Sequence, residues 1–498
     1  MAEQFKNFID GQWQDSESKQ TMERRNPANT DEIVSIIPRS NKNDVDKAVN
    51  AARAAFPKWK NIPAPHRADI LYKAARILEE KKEELAEFMC REMGKILQEC
   101  LGDVQEGVDI GYYMAGEGRR LHGQTVPSEL KSKHIWTVRE PLGVFALITP
   151  WNFPIAIPSW KIFPALVCGN SVVFKPSNFV AGSATKLVEI FEKARLPKGV
   201  LNLVHGSGGE AGDFLINHGG IDGCSFTGST AIGKMVGKIC GEKLIKHSLE
   251  MGGKNAIIVM DDANLDLAVD GALWGGFGTS GQRCTAASRV IVHEKVYDKF
   301  KDKFVKAVKQ IRLGDGLKNG THVGPVVNDD QRNSIKKYLD LAKNDKLMIL
   351  CGGNIASGSG LDKGYFIEPT VIDNPPRDHK IANEEIFGPV VALLKAKDFD
   401  DAICLANNTA YGLSSAIFTE SIRNAHKAAE ALETGLVYVN AATIGAEVQT
   451  PFGGIKGTGN GHREAGGMGG ALDTYTEIKV INVDFSGSVQ KAQGIKWD

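Results

Sequence analysis

From Gly143 onward the sequence alternates short apolar runs with segments of helical period, and this alternation limits the possible folds more than any other feature. GVFALITP (143–150), SVVFKPS (171–177) and GVLNLVHG (199–206) hold consecutive apolar residues, the pattern of buried strands, and DGCSFTG (222–228) reads as a further strand. Between them IAIPSWKIFPALVCGN (155–170), AGSATKLVEIFEKA (181–194), GEAGDFLINHGG (209–220) and TAIGKMVGKIC (230–240) read as helices, the first closing on Gly169-Asn170. Strands separated by helices this way predict a parallel sheet wound with right-handed crossovers. A ligand is then expected beyond the carboxyl ends of its strands.

The alternation restarts at NAIIVMDDANLDLAVDGALWGGF and again at GPVVALLKAKDFDDAICLANNTAYGLSSAIFT, which predicts a second α/β unit over about 253–455. Upstream, 43–57 and 64–98 carry long helical signals. Residues 122–139 and 470–485 are isolated β-like stretches that need a sheet from elsewhere. Lys plus Arg and Asp plus Glu both total 60, so no net field favours nucleic acid or an anionic membrane. The opening MAEQFKNFIDGQWQ lacks an export signal and no apolar run is long enough to span a bilayer, so the expectation is a cytoplasmic protein. Eight cysteines are scattered without a CxxC pair, which speaks against structural zinc and against a disulfide framework.

One of those cysteines is unlike the rest. In GTSGQRCTAA (278–287) Cys284 has small and polar neighbours, where Cys168 sits in apolar PALVCGN. A thiol so placed is open to an approaching reactant, and Arg283 beside it is a candidate cation to lower its pKa. A nucleophile also needs oxyanion donors and a base. No histidine lies in a protease signature, which leaves a His-assisted hydrolase without support. Asn152 in TPWNFPI ends a buried strand between Trp151 and Phe153, a place from which an amide donates to an oxyanion; it also reads as a turn residue before proline. Glu250 in EMGGKN precedes two glycines, as a base with room to swing or as a solvated loop carboxylate. FTGST (226–230) turns on Gly228 and opens a helix at Ser229, whose N–H groups suit a pyrophosphate. FKPSN (174–178) ends a strand at Lys175, within reach of ribose hydroxyls or phosphate, and Gly206-x-Gly208-x-x-x-Gly212 is a weak glycine fingerprint.

In order along the chain, TPWNFP, FKPS, FTGST, EMGGKN, GQRC, EEIFGPV and PFGG resemble the NAD(P)-dependent aldehyde dehydrogenase superfamily over essentially the whole length. The resemblance implies an α/β fold: a Rossmann-like cofactor domain (1–121 and 140–252), a second α/β catalytic domain (253–455) and a β oligomerisation arm (122–139 and 468–498) serving a homodimer or homotetramer. It implies that Cys284 adds to a small-molecule aldehyde, that Asn152 and the Cys284 N–H hold the oxyanion, and that hydride leaves for NAD or NADP. Glu250 then activates the water that hydrolyses the thioester, and Lys161 in SWKIFP relays protons or positions groups nearby. Lys175 and Ser229 would bind adenosine ribose and pyrophosphate, and Glu385 the nicotinamide ribose with Phe387 beside it. Trp151, Ser177, Asn178, Gly208, Gly212 and Gly228 complete the expected cofactor site.

Two residues bear on specificity. Asn178 stands where strictly NAD-using members carry glutamate, and without that charge a 2′-phosphate is not repelled, so NADP acceptance is expected. Arg283 could pair with the far carboxylate of a semialdehyde such as 2,5-dioxopentanoate or succinate semialdehyde, or face away into a salt bridge. A CoA-acylating enzyme of the methylmalonate type also carries GQRC but lacks the glutamate base. A non-catalytic scaffold protein would not need Cys284, Glu250 and Asn152 together.

Overall fold

The computed structural model describes residues 2–491 and 493. Its first large sheet has seven strands in the order Lys246–Glu250, Gly223–Thr227, Val144–Ile148, Ser171–Lys175, Leu201–Leu203, Asn7–Ile9 and Gln12–Gln14. The first five run parallel. The last two join antiparallel from the N-terminus, an edge that the alternation does not announce. Strand order reverses beside Val144–Ile148, since later strands build outward on both its sides. That reversal opens a crevice at the carboxyl end of the sheet.

The period of two explains why these runs are apolar throughout. Phe145, Leu147, Val172 and Phe174 point into the core beneath the helices Ala64–Glu80, Leu97–Glu117, Ala156–Val167 and Ala181–Lys193. Val144, Ala146 and Val173 point to the opposite core, under Lys42–Lys60 and Thr230–Glu242. Each of the valines, the leucine and the phenylalanines contributes about 1.5–3 kcal/mol by leaving water, so neither face tolerates a polar residue without a partner.

A second seven-stranded sheet runs Met348–Cys351, Thr370–Asp373, Val390–Ala396, Arg289–His293, Ala256–Val259, Ser414–Phe418 and Leu436–Val439. It is parallel except for the edge Met348–Cys351. Among the described residues three smaller sheets stand apart, the least of them the pair Tyr411–Gly412 and Ile455–Lys456. Another joins Glu3–Gln4, Thr21–Asn26 and Asn29–Pro38. The third joins Thr476–Asp484, Lys133–Pro141 and Thr125–Val126, so the two stray β stretches find each other. Positions 492 and 494–498 of the expected arm lie outside the described residues.

The helical run expected over 64–98 is corrected. It breaks at Lys81, whose φ of −104° and ψ of 9° end one helix before Lys82–Met93 begins. It then stops at Gly94, where φ is +96° and a Cβ would lie 2.8 Å from both Pro27 and Pro325. A third helix, Leu97–Glu117, starts after that turn. Among the described residues no helix is long and apolar enough to cross a membrane.

Candidate active site

The parallel strands of the first sheet end on the residues the motifs single out. Val144–Ile148 runs into Thr149–Asn152, Ser171–Lys175 ends on Lys175, Gly223–Thr227 precedes Gly228-Ser229, and Lys246–Glu250 ends on Glu250. Glu250 is therefore a strand terminus and 3% exposed, which removes the solvated-loop alternative.

A cavity of about 590 Å³ lies off these ends. Trp151, Lys175, Ser177, Asn178, Gly208, Gly212, Gly228, Ser229, Glu385 and Phe387 all line it. Lys175 is buried and donates to the carbonyls of Pro176 (2.8 Å) and Gly206 (3.2 Å), and burial lowers its pKa to about 8. Ser229 caps the thirteen-residue helix Thr230–Glu242 without spending its hydroxyl on it. The N–H groups of that first turn remain available to an anion. Glu385 accepts from the Gly253 N–H at 3.0 Å, and its pKa is pushed up to about 7 by burial. Any side chain at Gly252 would collide with this carboxylate. Phe387 holds a left-handed backbone (φ 54°) and packs its ring edge-on to Trp151 at 5.4 Å. The Thr149 hydroxyl, also on the wall, is buried without a partner among the described residues. Polar groups at both ends and apolar walls from Ile148, Phe226, Ile232 and Val236 fit an elongated dinucleotide.

A second, narrower cavity is lined by Phe153, Trp160, Phe452, Glu250, Glu464, Glu106 and Arg283 among others. Cys284 lines both cavities and stands where they meet. Its loop is held in an unusual shape. After Leu265–Phe277, Thr279 (φ 53°), Ser280 (φ 58°) and Gly281 (φ 68°) are all left-handed. Bonds from elsewhere stabilise that turn: the Thr279 N–H donates to Glu99 at 2.6 Å, the Ser280 hydroxyl to the Gly324 carbonyl at 2.7 Å, and the Val327 N–H to Gln282 at 3.0 Å. Asn255 fixes the nucleophile itself, its amide donating to the Cys284 carbonyl at 2.7 Å and to that of Ala286 at 3.0 Å.

Asn152 is 3% exposed, and among the described residues its side-chain oxygen has no hydrogen-bond partner. The turn carrying it is clamped from below by a fully buried ion pair, Lys95 to Asp103 at 2.5 Å. Lys95 also donates to the Asn152 carbonyl at 3.1 Å and lies 4.3 Å from the centre of the Phe153 ring. The other Asp103 oxygen accepts the N–H groups of Ile155 (3.2 Å) and Ala156 (2.7 Å). It thereby caps the helix Ala156–Val167, which carries Lys161.

Both Glu250 oxygens are buried, and among the described residues no side chain hydrogen-bonds them. Burial, then the charge of Glu464, raise its pKa well above the carboxylate range, against the opposing pull of Lys161 and Arg463. Lys161 is fully buried, pairs with Glu464 and donates to the Ser225 hydroxyl at 2.8 Å. Acid, lysine and base form one buried cluster.

Arg283 requires a correction. It is not turned on the sulfur as a cation that would acidify it. Its Nε donates to the Thr279 hydroxyl at 2.9 Å, one terminal nitrogen lies 3.3 Å from Glu99, and the guanidinium stacks over Trp274 and Phe153 at 4.9 and 5.2 Å. Burial and the nearby Glu385 and Glu250 instead push the Cys284 thiol up to about 12. Arg283 still lines the narrow cavity.

Glu464, Asn255 and the Lys95–Asp103 pair were not singled out by motif reading. Asn255 lay inside the quoted EMGGKN and Glu464 inside GNGHREAGGMGG, an acid among glycines being the available signal. Lys95 and Asp103 carry no such signal, because their pairing is set by the turn at Gly94.

The sequence pattern of the aldehyde dehydrogenase family matches residues 13–481. The alpha-ketoglutaric semialdehyde dehydrogenase of Bacillus subtilis is 41% identical over 479 residues, 96% of this chain and 98% of that one. The 2,5-dioxopentanoate dehydrogenase of Saccharolobus solfataricus is 42% identical over 436 residues, 87% of this chain and 90% of that one. Among solved structures, a betaine aldehyde dehydrogenase from Staphylococcus aureus in complex with NAD+ superposes with a TM-score of 0.94 at 36% identity, covering 97% of this chain and 95% of that one. An NAD+ complex of an aldehyde dehydrogenase from Bacillus cereus gives 0.93 at 37%, covering 97% of each.

Proposed function

Because this chain belongs to the aldehyde dehydrogenase family of oxidoreductases, we propose that it oxidises a semialdehyde bearing a far carboxylate, with 2,5-dioxopentanoate the leading candidate, to the corresponding acid. The observation that carries the reading is the position of Cys284 at the junction of a dinucleotide-sized cavity and a narrow one. The two relatives named for this substrate direct the choice of aldehyde.

In this reading the Cys284 thiol gives up its proton to water in the cavity as its sulfur adds to the carbonyl carbon that reaches it through the narrow cavity. The Asn152 amide and the Cys284 N–H stabilise the oxygen that becomes negative. The residues of the wide cavity would hold NAD or NADP: Ser177, Asn178 and Lys175 at the adenosine ribose, Ser229 and the helix behind it at the pyrophosphate, Glu385 and Phe387 at the nicotinamide end. When bound, that group supplies the oxidised ring that accepts hydride. Glu250 takes a proton from the water that cleaves the acyl group from Cys284. A carboxyl whose pKa is raised is suited to such work near neutral pH. Lys161 and Glu464 give the proton a buried route away from the site. Glu250 beside the thiol supports hydrolysis over transfer to CoA. Asn178, uncharged and on the cavity wall, supports acceptance of NADP alongside NAD. Residues 1–121 with 140–252 and residues 253–455 serve as cofactor and catalytic domains, and the sheet of Lys133–Pro141 with Thr476–Asp484 as the arm of a homo-oligomer.

The test is turnover of 2,5-dioxopentanoate, succinate semialdehyde, pentanal and betaine aldehyde with NAD and with NADP, with and without CoA. The expected result is highest kcat/KM for 2,5-dioxopentanoate, acid as product in both conditions, and NADP within about tenfold of NAD. A preference for pentanal, or product only with CoA, overturns the reading.

A further inference from the structure

The narrow cavity contains a contradiction for any enzyme of anionic aldehydes. Apart from Glu250 and Glu464, the charged side chains on its wall are Arg283 and Glu106. The helix Leu97–Glu117 turns Glu99, Asp103 and Glu106 toward this side. Two are committed: Glu99 to Arg283 and the Thr279 N–H, Asp103 to Lys95 and the N–H groups of Ile155 and Ala156. Among the described residues no hydrogen bond or ion pair holds the Glu106 carboxyl, which opens on the cavity. Were it ionised, one guanidinium already shared with Glu99 would face two carboxylates as well as the substrate's own.

Resting on the reading that the substrate carries a far carboxylate, we infer that Glu106 is a specificity-determining residue that donates its carboxyl proton to that carboxylate, beside Arg283. Such an acid–carboxylate bond is charge-assisted and short. The surroundings favour the protonated form: burial foremost, then the charge of Asp103, push the Glu106 pKa up to about 7, Arg283 and Lys95 oppose, and Asp109 adds to the rise. The Tyr438 phenol, from the strand Leu436–Val439, also lies within electrostatic reach of it. Below about 7 the carboxyl is neutral and donates. Above it the group is negative, repels a carboxylate and attracts a cation.

The experiment measures kcat/KM for 2,5-dioxopentanoate, betaine aldehyde and pentanal, with saturating dinucleotide, from about pH 6 to about pH 9. Ratios to pentanal cancel the ionisations of Cys284 and Glu250, which all substrates share. In the wild type the 2,5-dioxopentanoate ratio falls about tenfold across this range while the betaine aldehyde ratio rises. In Glu106→Gln, which donates at every pH, the first ratio is flat and stays at its low-pH value. In Glu106→Leu it is flat but several-fold lower. Wild-type ratios that do not change with pH, or a fall that persists in the Gln variant, overturn the role of Glu106. Absence of any preference for 2,5-dioxopentanoate over pentanal at pH 6 overturns the substrate reading instead.

Discussion

At the scale of single residues, Cys284 was legible because its chain neighbours are small and polar, unlike the apolar run around Cys168. Its electrostatics were not, since they depend on side chains far away in sequence. Arg283 is adjacent in the chain yet bound to Glu99, while burial, and after it Glu385 and Glu250 from two other segments, push the thiol pKa up. Glu250 gives the sharpest test at this scale. Glu250→Gln keeps the shape but cannot take a proton from water. Acylation should proceed once per site and hydrolysis stall, so rapid mixing should show about one equivalent of reduced dinucleotide per subunit. Steady-state kcat should fall by roughly 10²–10⁴. A variant that loses the burst together with the steady state would show that Glu250 acts before the thioester is formed.

At the scale of elements, the buried strands were legible from their consecutive apolar residues, as were the helices between them. The helical run over 64–98 misled because periodicity reports which face is buried, not whether the axis is continuous. Lys81 and Gly94 break the axis while the apolar period persists. The break at Gly94 matters, because it delivers Lys95 to Asp103 beneath the Asn152 turn. The pair is sealed from water, so removing one partner leaves a bare charge behind. Asp103→Ala should cost about 3–5 kcal/mol of stability in urea unfolding, whereas the double variant Lys95→Met/Asp103→Leu should recover much of that loss. The double variant should still be slow, since the Asn152 carbonyl and the Ile155 and Ala156 N–H groups lose their anchors. If the double variant were no more stable than Asp103→Ala, the cost would lie in packing rather than in an uncompensated charge.

At the scale of the whole molecule, the sheet of Thr476–Asp484 on Lys133–Pro141 does not belong to either large sheet. Nine consecutive pairs hold the two strands together, so their order needs no further strand. What they lack is cover. On one face Ile478 and Val480 are 60% and 57% exposed, with Val126 across the sheet 40% exposed on the same side, and Val483 on the opposite face is 42% exposed. Exposed apolar groups clustered on one small sheet mark a surface that another protein covers. Thr476–Asp484 is also an edge of that sheet among the described residues, with backbone groups free to pair. The proposed occupant is a second copy of this chain, since a closed homo-oligomer is the commonest way to bury such an edge. Ile478→Asp/Val480→Asp places two charges there while leaving both cavities untouched. Sedimentation should then show a smaller particle than the wild type, with the thermal unfolding of the two large sheets little changed at high protein concentration. A wild-type protein that sediments as a monomer, or a double variant that keeps the wild-type mass, would leave this apolar surface without the partner proposed for it.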